Sequence, residues 1–362
     1  MRINVPSSAP GRAATQRSGQ REGIEEVRAA AFVGRRRIEI RDVPDPEIAA
    51  PDDVLVRVIR SGICGSDKRL YLSDGAKPGV HGHEAAGVVV EVGDAVTRVG
   101  EGDGVVVYDV IGCGKCAFCL QGQFTYCPQR KGGVSGGFGE LLVAPERNLM
   151  RMPPRMPFDR ACLMSDCFGT PAKAVRRVGA AAPDTVAVFG CGPIGLNAIM
   201  AAKAYGAGVI AVDPVQYRRE AASELGANHA IDPENEDAVG RIRELTGTGA
   251  NKAMECSANP AAGRQCIECL RPEGRAVFVG ECGKLEISPS ADLIRRDITI
   301  MGSWYMHLSD FPANVHLCDT TGADPLRVVT HTVALEQIEA GFAAFCDMQE
   351  GCLKAIVQMA EP

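Results

Sequence analysis

Residues 186–202 read VAVFGCGPIGLNAIMAA. An apolar, strand-like run (Val186–Phe189) meets three glycines spaced G-x-G-x-x-G, at Gly190, Gly192 and Gly195, and passes into an apolar stretch that reads as a helix. Glycines recur by chance, so the spacing alone says little. Its setting says more: eighteen residues after Gly195, Asp213 closes the next strand-like run, GVIAVD. A strand, this turn, a helix and a distant acid are what a dinucleotide site needs. Gly190 permits the turn, Gly192 lets a pyrophosphate approach the backbone, and Gly195 lets the helix pack on the sheet. Pro193 and Ile194 open the helix, whose free N–H groups and positive dipole end face the phosphates. Asp213 would accept hydrogen bonds from both adenosine-ribose hydroxyls and repel a 2′-phosphate, favouring NAD(H) over NADP(H). Arg218 and Arg219 pull the other way, since an arginine can hold that phosphate.

Working outward, strand-like and helical runs alternate after about residue 168. Thr170–Val178 reads as a helix, DTVAVFG as a strand, PIGLNAIMAAKAYGA as a helix and GVIAVD as a strand. RREAASELGA, HAID, EDAVGRIRELTG, KAMEC, a helix around Ala262–Leu270, and GRAVFVG continue the series. This alternation implies a parallel sheet covered on both faces. The first half differs. From Val27, short Val-rich runs broken by Gly and Asp predict antiparallel strands and tight turns, with Arg35–Arg37 in a solvated turn. The last 50 residues fit neither pattern and are expected to return in part to the first unit. The expected organisation is therefore a disordered tail over 1–25, a β-rich unit over 26–168 and 310–362, and an α/β unit over 169–309.

The chain has 362 residues, 46% hydrophobic and 23% charged, so it can bury a core of two domains. Its 39 Lys and Arg against 45 Asp and Glu give a net charge of −6, which argues against nucleic acid or an anionic membrane as the main partner. No run of 18 apolar residues suggests a transmembrane helix. The N-terminal stretch has no apolar secretory region and is only weakly similar to an organelle-targeting segment, so a cytoplasmic location is expected. The fifteen cysteines are then reduced, and a reduced cluster points to metal.

Cys113, Cys116, Cys119 and Cys127 form C-x2-C-x2-C-x7-C. Four thiolates this close can enclose one zinc ion, leaving no open position, so such a site is structural. An iron–sulfur cluster is the alternative. Gly112 and Gly114 are expected to let the backbone turn between ligands. A second constellation starts from Cys64 in SGICGSD and His83 in HGHEAAG, accompanied by Ser66, Asp67 and Glu84. Thiolate, imidazole and a third ligand leave one coordination position free for Lewis-acid work. The third ligand must come from elsewhere. Asp166, in LMSDCFGT, is the first choice and Cys167 the second, because two cysteines and a histidine also make such a set.

Taken together these residues resemble the zinc-containing alcohol dehydrogenases of the medium-chain dehydrogenase/reductase superfamily. GHEAAGVVVEVG (82–93) is similar to that family's zinc signature G-H-E-x2-G-x5-G, and ICGSD to its first catalytic-zinc segment. The cysteine lobe and the glycine fingerprint follow in the family's order. The resemblance spans residues 27 to 360. It implies a GroES-like catalytic domain carrying the catalytic zinc, a Rossmann domain of doubly wound parallel sheet, two Zn²⁺ per chain, and a homodimer or homotetramer. Cys64, His83 and Asp166 would be the catalytic ligands, Glu84 a glutamate that can visit the metal, Asp67 the carboxylate that orients the histidine, and Arg218 the base over the adenosine ribose. Thr170 stands four residues after the third ligand, as a threonine does in the family, and is counted with the cofactor residues. One position departs: where the family often has a proton-relay histidine, this chain has Arg69.

The resemblance implies NAD(H)-linked interconversion of an alcohol and its carbonyl, with Ser66 taking the hydroxyl proton and hydride leaving a zinc-held alkoxide. A secondary alcohol of a polyol, sugar or amino alcohol is the expected small-molecule substrate, suggested by the Ser–Asp after Cys64 and by GSWYM near Gly302. Trp304, Tyr305 and His307 are each either pocket or core residues. Two other readings stay open: an aldehyde dehydrogenase of the formaldehyde type on the same fold, and a non-catalytic zinc- and NAD-binding redox sensor using the ten remaining cysteines. GRAVFVG and ITIMGSW are the candidate strands for pairing across an oligomer interface.

Overall fold

The computed structural model describes residues 27–361, so the expected disordered tail over 1–25 lies outside the described residues. A hairpin of Val27–Gly34 and Arg37–Val43 opens this region, with Arg35 and Arg36 in its turn. The strand Asp53–Gly62 then runs through the middle of a seven-stranded sheet. It pairs antiparallel with Glu84–Val92, with Leu141–Pro145 over its first half, and with Lys354–Gln358 at its end. Gly104–Val107 and Leu149–Arg151 extend the sheet on one side, and Val329–Ala334 on the other. The C-terminal segment thus does enter this sheet: Ile356 stands opposite Gly62.

The second sheet has six parallel strands. In chain order they are Thr185–Phe189, Gly208–Val212, His229–Ile231, Ala250–Glu255, Leu270–Phe278 and Thr299–Gly302. Their spatial order is 3-2-1-4-5-6, the doubly wound arrangement whose chain reversal leaves a crevice at the carboxyl ends of the first and fourth strands. Val186–Phe189 is fully buried, as expected for a central strand covered on both faces. Helix Pro193–Ala204 carries proline at its first turn, and Leu196–Ala202 is buried along its whole surface. That is why its sequence shows no polar stripe. Asp237 and Asn259 cap two later helices by accepting from Val239 N (3.1 Å) and Ala261 N (2.8 Å).

One expectation about edges fails. GRAVFVG lies on Leu270–Phe278, which is paired on both sides, to Ala250–Glu255 and to Thr299–Gly302. Its hydrogen-bonding groups are already used, so it cannot pair with another chain. Of the two candidates, the strand within ITIMGSW alone stands at a sheet edge. Among the described residues, no helix is long and apolar enough to cross a membrane.

Candidate active site

The strand Asp53–Gly62 delivers Cys64 to a single helical turn, Gly65–Asp67. Register places Glu84 directly opposite Gly62, with His83 one residue before it. A Cβ on residue 62 would lie 2.1 Å from Glu84 Oε2, so glycine there makes room for the glutamate. Asp166 comes from the segment leading into helix Gly169–Val178 and is fixed by that helix: Thr170 N donates to Asp166 O at 3.0 Å, and Thr170 Oγ1 to Asp166 Oδ1 at 2.6 Å. The Thr170 hydroxyl, counted with the cofactor residues from the sequence, is therefore occupied in holding Asp166.

Cys64, His83, Glu84 and Asp166 each offer a donor atom, and these atoms all lie within 4.8 Å of one another. Asp166 Oδ2 is 3.3 Å from both Cys64 Sγ and His83 Nε2. Cys167, the rival third ligand, is not in this group; it is buried and its sulfur accepts from Asn197 Nδ2 at 3.3 Å. On the far side of the imidazole, Asp67 Oδ1 is 3.4 Å from His83 Nδ1, while Asp67 Oδ2 accepts from Cys64 N at 2.9 Å. One carboxylate thus orients two of the donors, as carboxylates behind metal ligands do.

The electrostatics match a cation site. Burial works against charge on His83, but Asp67, Cys64 and Asp166 outweigh it and hold the imidazole proton on. Burial, then Asp166, push the Cys64 thiol up to about 11. Burial also disfavours the charged form of Asp166, yet His83 and Thr170 keep its carboxyl below the usual range. Two donors that keep their protons beside an ionised carboxylate form a set that a divalent ion relieves by displacing those protons. Ser66 is exposed in the turn after Cys64. Arg69 is also exposed, 4.0 Å from Glu281.

The sequence missed Lys354. It is fully buried, with Nζ 2.8 and 2.7 Å from the two Glu84 oxygens and donating to Ile63 O at 2.7 Å. Burial opposes its charge, but Glu84 outweighs burial and holds the ammonium ionised. The signal was a lone lysine beside the apolar run of its strand, LKAIV. Trp304 is 44% exposed, with the Arg130 guanidinium 4.8 Å from its ring centre, so it is not a core aromatic. Tyr305 is buried, and His307 packs edge-on against Tyr126 at 5.1 Å.

The cysteine lobe also converges: Cys113, Cys116, Cys119 and Cys127 have donor atoms within 4.8 Å of one another. Cys113 N donates to Cys127 Sγ at 3.3 Å. Backbone N–H groups of Lys115 and Cys116 lower the Cys113 thiol to about 6. Gly114 turns the chain in the left-handed region (φ 76°). Gly112 does something else: a Cβ there would lie 2.6 Å from Cys119 Sγ, so it provides space rather than a turn. Elsewhere, burial drives thiols upward, Cys269 and Cys318 to about 12. Thiols of that kind make poor sensors, which works against the redox-sensor reading.

At the fingerprint, Gly190 has φ 91°. A Cβ at Gly195 would come 1.8 Å from Gly190 O, whereas one at Gly192 would meet nothing within 4 Å. The space over Gly192, at the cap of helix Pro193–Ala204, is where Pro193 and Ile194 begin the first turn. Asp213 Oδ2 accepts from Cys191 N at 2.7 Å and Oδ1 from Val215 N at 2.9 Å, leaving lone pairs for further donors. Arg218 Nη1 is 4.0 Å from Asp213 Oδ2, and its Nε is buried without a partner. Arg219 is committed inward, to Asp213 O (2.8 Å) and Asp232 Oδ2 (2.9 Å).

An open metal-donor group on one sheet and a dinucleotide turn on the other define an oxidoreductase that uses zinc and a nicotinamide cofactor. Residues 50–154 match the alcohol dehydrogenase GroES-like domain, and residues 193–320 the zinc-binding dehydrogenase domain. Sorbitol dehydrogenase of Bacillus subtilis is 31% identical over 346 residues, 92% of this chain and 97% of that one. L-threonine 3-dehydrogenase of Symbiobacterium thermophilum is 33% identical over 333 residues, 86% of this chain and 92% of that one. The crystal structure of 2R,3R-butanediol dehydrogenase from Bacillus subtilis superposes with a TM-score of 0.82 at 31% identity, over 92% of this chain and 100% of that one. The chain belongs to the zinc-containing alcohol dehydrogenase family of the medium-chain dehydrogenase/reductase superfamily.

Proposed function

We propose that this enzyme interconverts a secondary alcohol of a polyol, sugar or amino alcohol with its carbonyl, using NAD(H). The observation that carries the reading is the four-donor group of Cys64, His83, Glu84 and Asp166. Cys64, His83 and Asp166 would hold the catalytic zinc and the four lobe cysteines a structural one. When bound, zinc supplies Lewis-acid polarisation of the substrate oxygen, and the nicotinamide accepts or returns a hydride. Asp67 fixes the His83 ring, Thr170 fixes Asp166, and Lys354 pairs with Glu84 beside the group against a burial that raises its carboxyl. Ser66 takes the hydroxyl proton. The Arg69 guanidinium offers donors and no acceptor, so the proton leaves through Ser66 to solvent at this exposed turn. The lone pairs left on Asp213, which suit ribose hydroxyls, and the inward ties of Arg219 support NAD(H) over NADP(H).

The substrate class draws on relatives named for sorbitol, threonine and butanediol, molecules in which a secondary hydroxyl neighbours a second polar group. The edge strand Thr299–Gly302 is the surface for homodimer pairing. The test is metal analysis of the purified protein with NADH-coupled turnover on sugar, polyol and amino-alcohol panels. Two zinc ions per chain and turnover of secondary alcohols are expected. Full activity in Cys64→Ser and His83→Ala would overturn the assignment.

A further inference from the structure

Beside the donor group lies a polar pair that the steps above leave idle. Tyr305 follows the strand Thr299–Gly302 in a left-handed backbone conformation (φ 53°) and is only 6% exposed. Its ring packs edge-on against Tyr108, with centroids 5.3 Å apart. Its hydroxyl is buried without a hydrogen-bond partner among the described residues. The Tyr108 hydroxyl donates to Met306 O at 2.6 Å and makes no bond to the Tyr305 hydroxyl. A buried hydroxyl left unpaired is costly, and in a native fold it calls for a reason.

Asp109, the neighbour of Tyr108, is the second member. Its carboxylate accepts no hydrogen bond among the described residues. It lies over Gly133, where a Cβ would come 2.0 Å from Asp109 Oδ1, so glycine there leaves the carboxylate its place. Asp109 follows Tyr108, against whose ring Tyr305 packs, and the charges of His83 and Asp166 act on both side chains. The charged groups acting on Asp109 are His83, Asp166, Asp67 and Arg130; those acting on Tyr305 are Asp166, Asp109 and His83. Burial raises the Asp109 carboxyl to about 6 and moves the Tyr305 phenol upward too.

We propose that Tyr305 and Asp109 are a specificity-determining pair that recognises a hydrogen-bond donor on the carbon next to the reacting carbinol. The donor is a hydroxyl or an ammonium: a hydroxyl donates to Asp109 and accepts from Tyr305, and an ammonium donates to both oxygens. Either substituent pairs a buried hydroxyl and a half-buried carboxylate that otherwise make no side-chain hydrogen bond. A monofunctional alcohol leaves both unpaired and is rejected, which is how a polar pocket discriminates more sharply than an apolar one. The inference rests on the proposed alcohol–carbonyl reaction and adds which carbon skeletons it accepts.

The test uses zinc-loaded full-length enzyme and three probes: butane-2,3-diol, 1-aminopropan-2-ol and butan-2-ol. Tyr305→Phe keeps the ring packing, and Asp109→Asn keeps the shape. Each variant is assayed for kcat/KM, and diol and amino-alcohol binding to the NADH-loaded enzyme is measured by calorimetry. The wild type is expected to prefer a difunctional probe over butan-2-ol. Each variant should weaken binding and kcat/KM for that probe by about 10- to 100-fold, chiefly through KM, while butan-2-ol changes less than about threefold. Asp109→Asn hitting the amino alcohol harder than the diol would identify the ammonium as the donor; the reverse would identify the hydroxyl. Equal loss on all three probes would make the pair merely structural, and no loss on any would make it irrelevant; either overturns the proposal. Calorimetric binding that follows this pattern without turnover of any probe would sink the reaction assignment and leave the recognition pair standing.

Discussion

Lys354→Met should be among the most damaging single changes outside the metal donors. Lys354 and Glu84 have side chains 1% exposed, and the ammonium touches both carboxylate oxygens and Ile63 O. At 2.7 Å and an effective dielectric of about 20, the pair attracts by about 6 kcal/mol. Desolvation cancels most of that in the intact pair, so its net worth is small. The variant differs, because it strands Glu84 as an unpaired charge, at a cost of about 3–5 kcal/mol. For a chain of 362 residues that is a fall in melting temperature of about 4–7 °C. The assay is urea unfolding followed by Trp304 fluorescence, in zinc-saturated buffer so that metal loss does not enter. Adding Glu84→Gln removes the stranded charge, so the double variant should recover about 2 kcal/mol of what Lys354→Met loses. A single variant within about 1 kcal/mol of wild type, or additive single changes, would refute the reasoning.

Gly192→Ala and Gly195→Ala separate ligand space from packing space. The first should fold with unchanged melting temperature but weaken NADH binding at least about tenfold, read by NADH fluorescence, because its methyl enters the place of the pyrophosphate. The second collides with Gly190 O and should lower stability as well as binding. Asp213→Ser should raise the NADP/NAD ratio of kcat/KM by about 100-fold, since it removes the repelling carboxylate. Cys119→Ser should lower bound zinc by one ion per chain and lower the melting temperature, checked by metal analysis and calorimetry. Arg264, with two 2.6 Å bonds, holds the Asp292 carboxyl down at about 2. A depressed carboxyl contributes stability above its unfolded pKa near 4 that is lost as pH falls through 2. Asp292→Asn should therefore flatten acid unfolding between those values.

Residues whose role depends on neighbours in sequence were readable before the fold was known. Gly190, Gly192, Gly195 and Asp213 work through one strand–turn–helix unit, and the cysteine lobe is a local loop. Cys64, His83 and Asp166 were found by residue chemistry and family resemblance, although only the fold, through the Thr170 bonds that hold Asp166, decided that Asp166 and not Cys167 reaches the group. What stayed hidden depends on pairing over long separations. Lys354 meets Glu84 only because Lys354–Gln358 docks beside Gly62, and no local pattern encodes that partner. GRAVFVG reads as an edge strand, but its flanks are filled by two other strands. Tyr305 and Asp109 look ordinary until burial shows that their polar atoms lack partners.

The same long-range construction links stability to chemistry. Three segments far apart in the chain bring the four donors together, and a fourth, the returning C-terminal strand, holds Glu84 in place. Half of that closure is strand pairing, which needs no particular side chain; the other half is one buried ammonium. Loss of the returning strand would therefore uncover the end of Asp53–Gly62 where Cys64 emerges, and strand Glu84 at the same moment. The six-stranded parallel sheet, which takes no strand from this segment, would lose none of its own pairing. Unfolding should then begin at the donor group rather than in the nucleotide half, with metal release preceding loss of the parallel sheet.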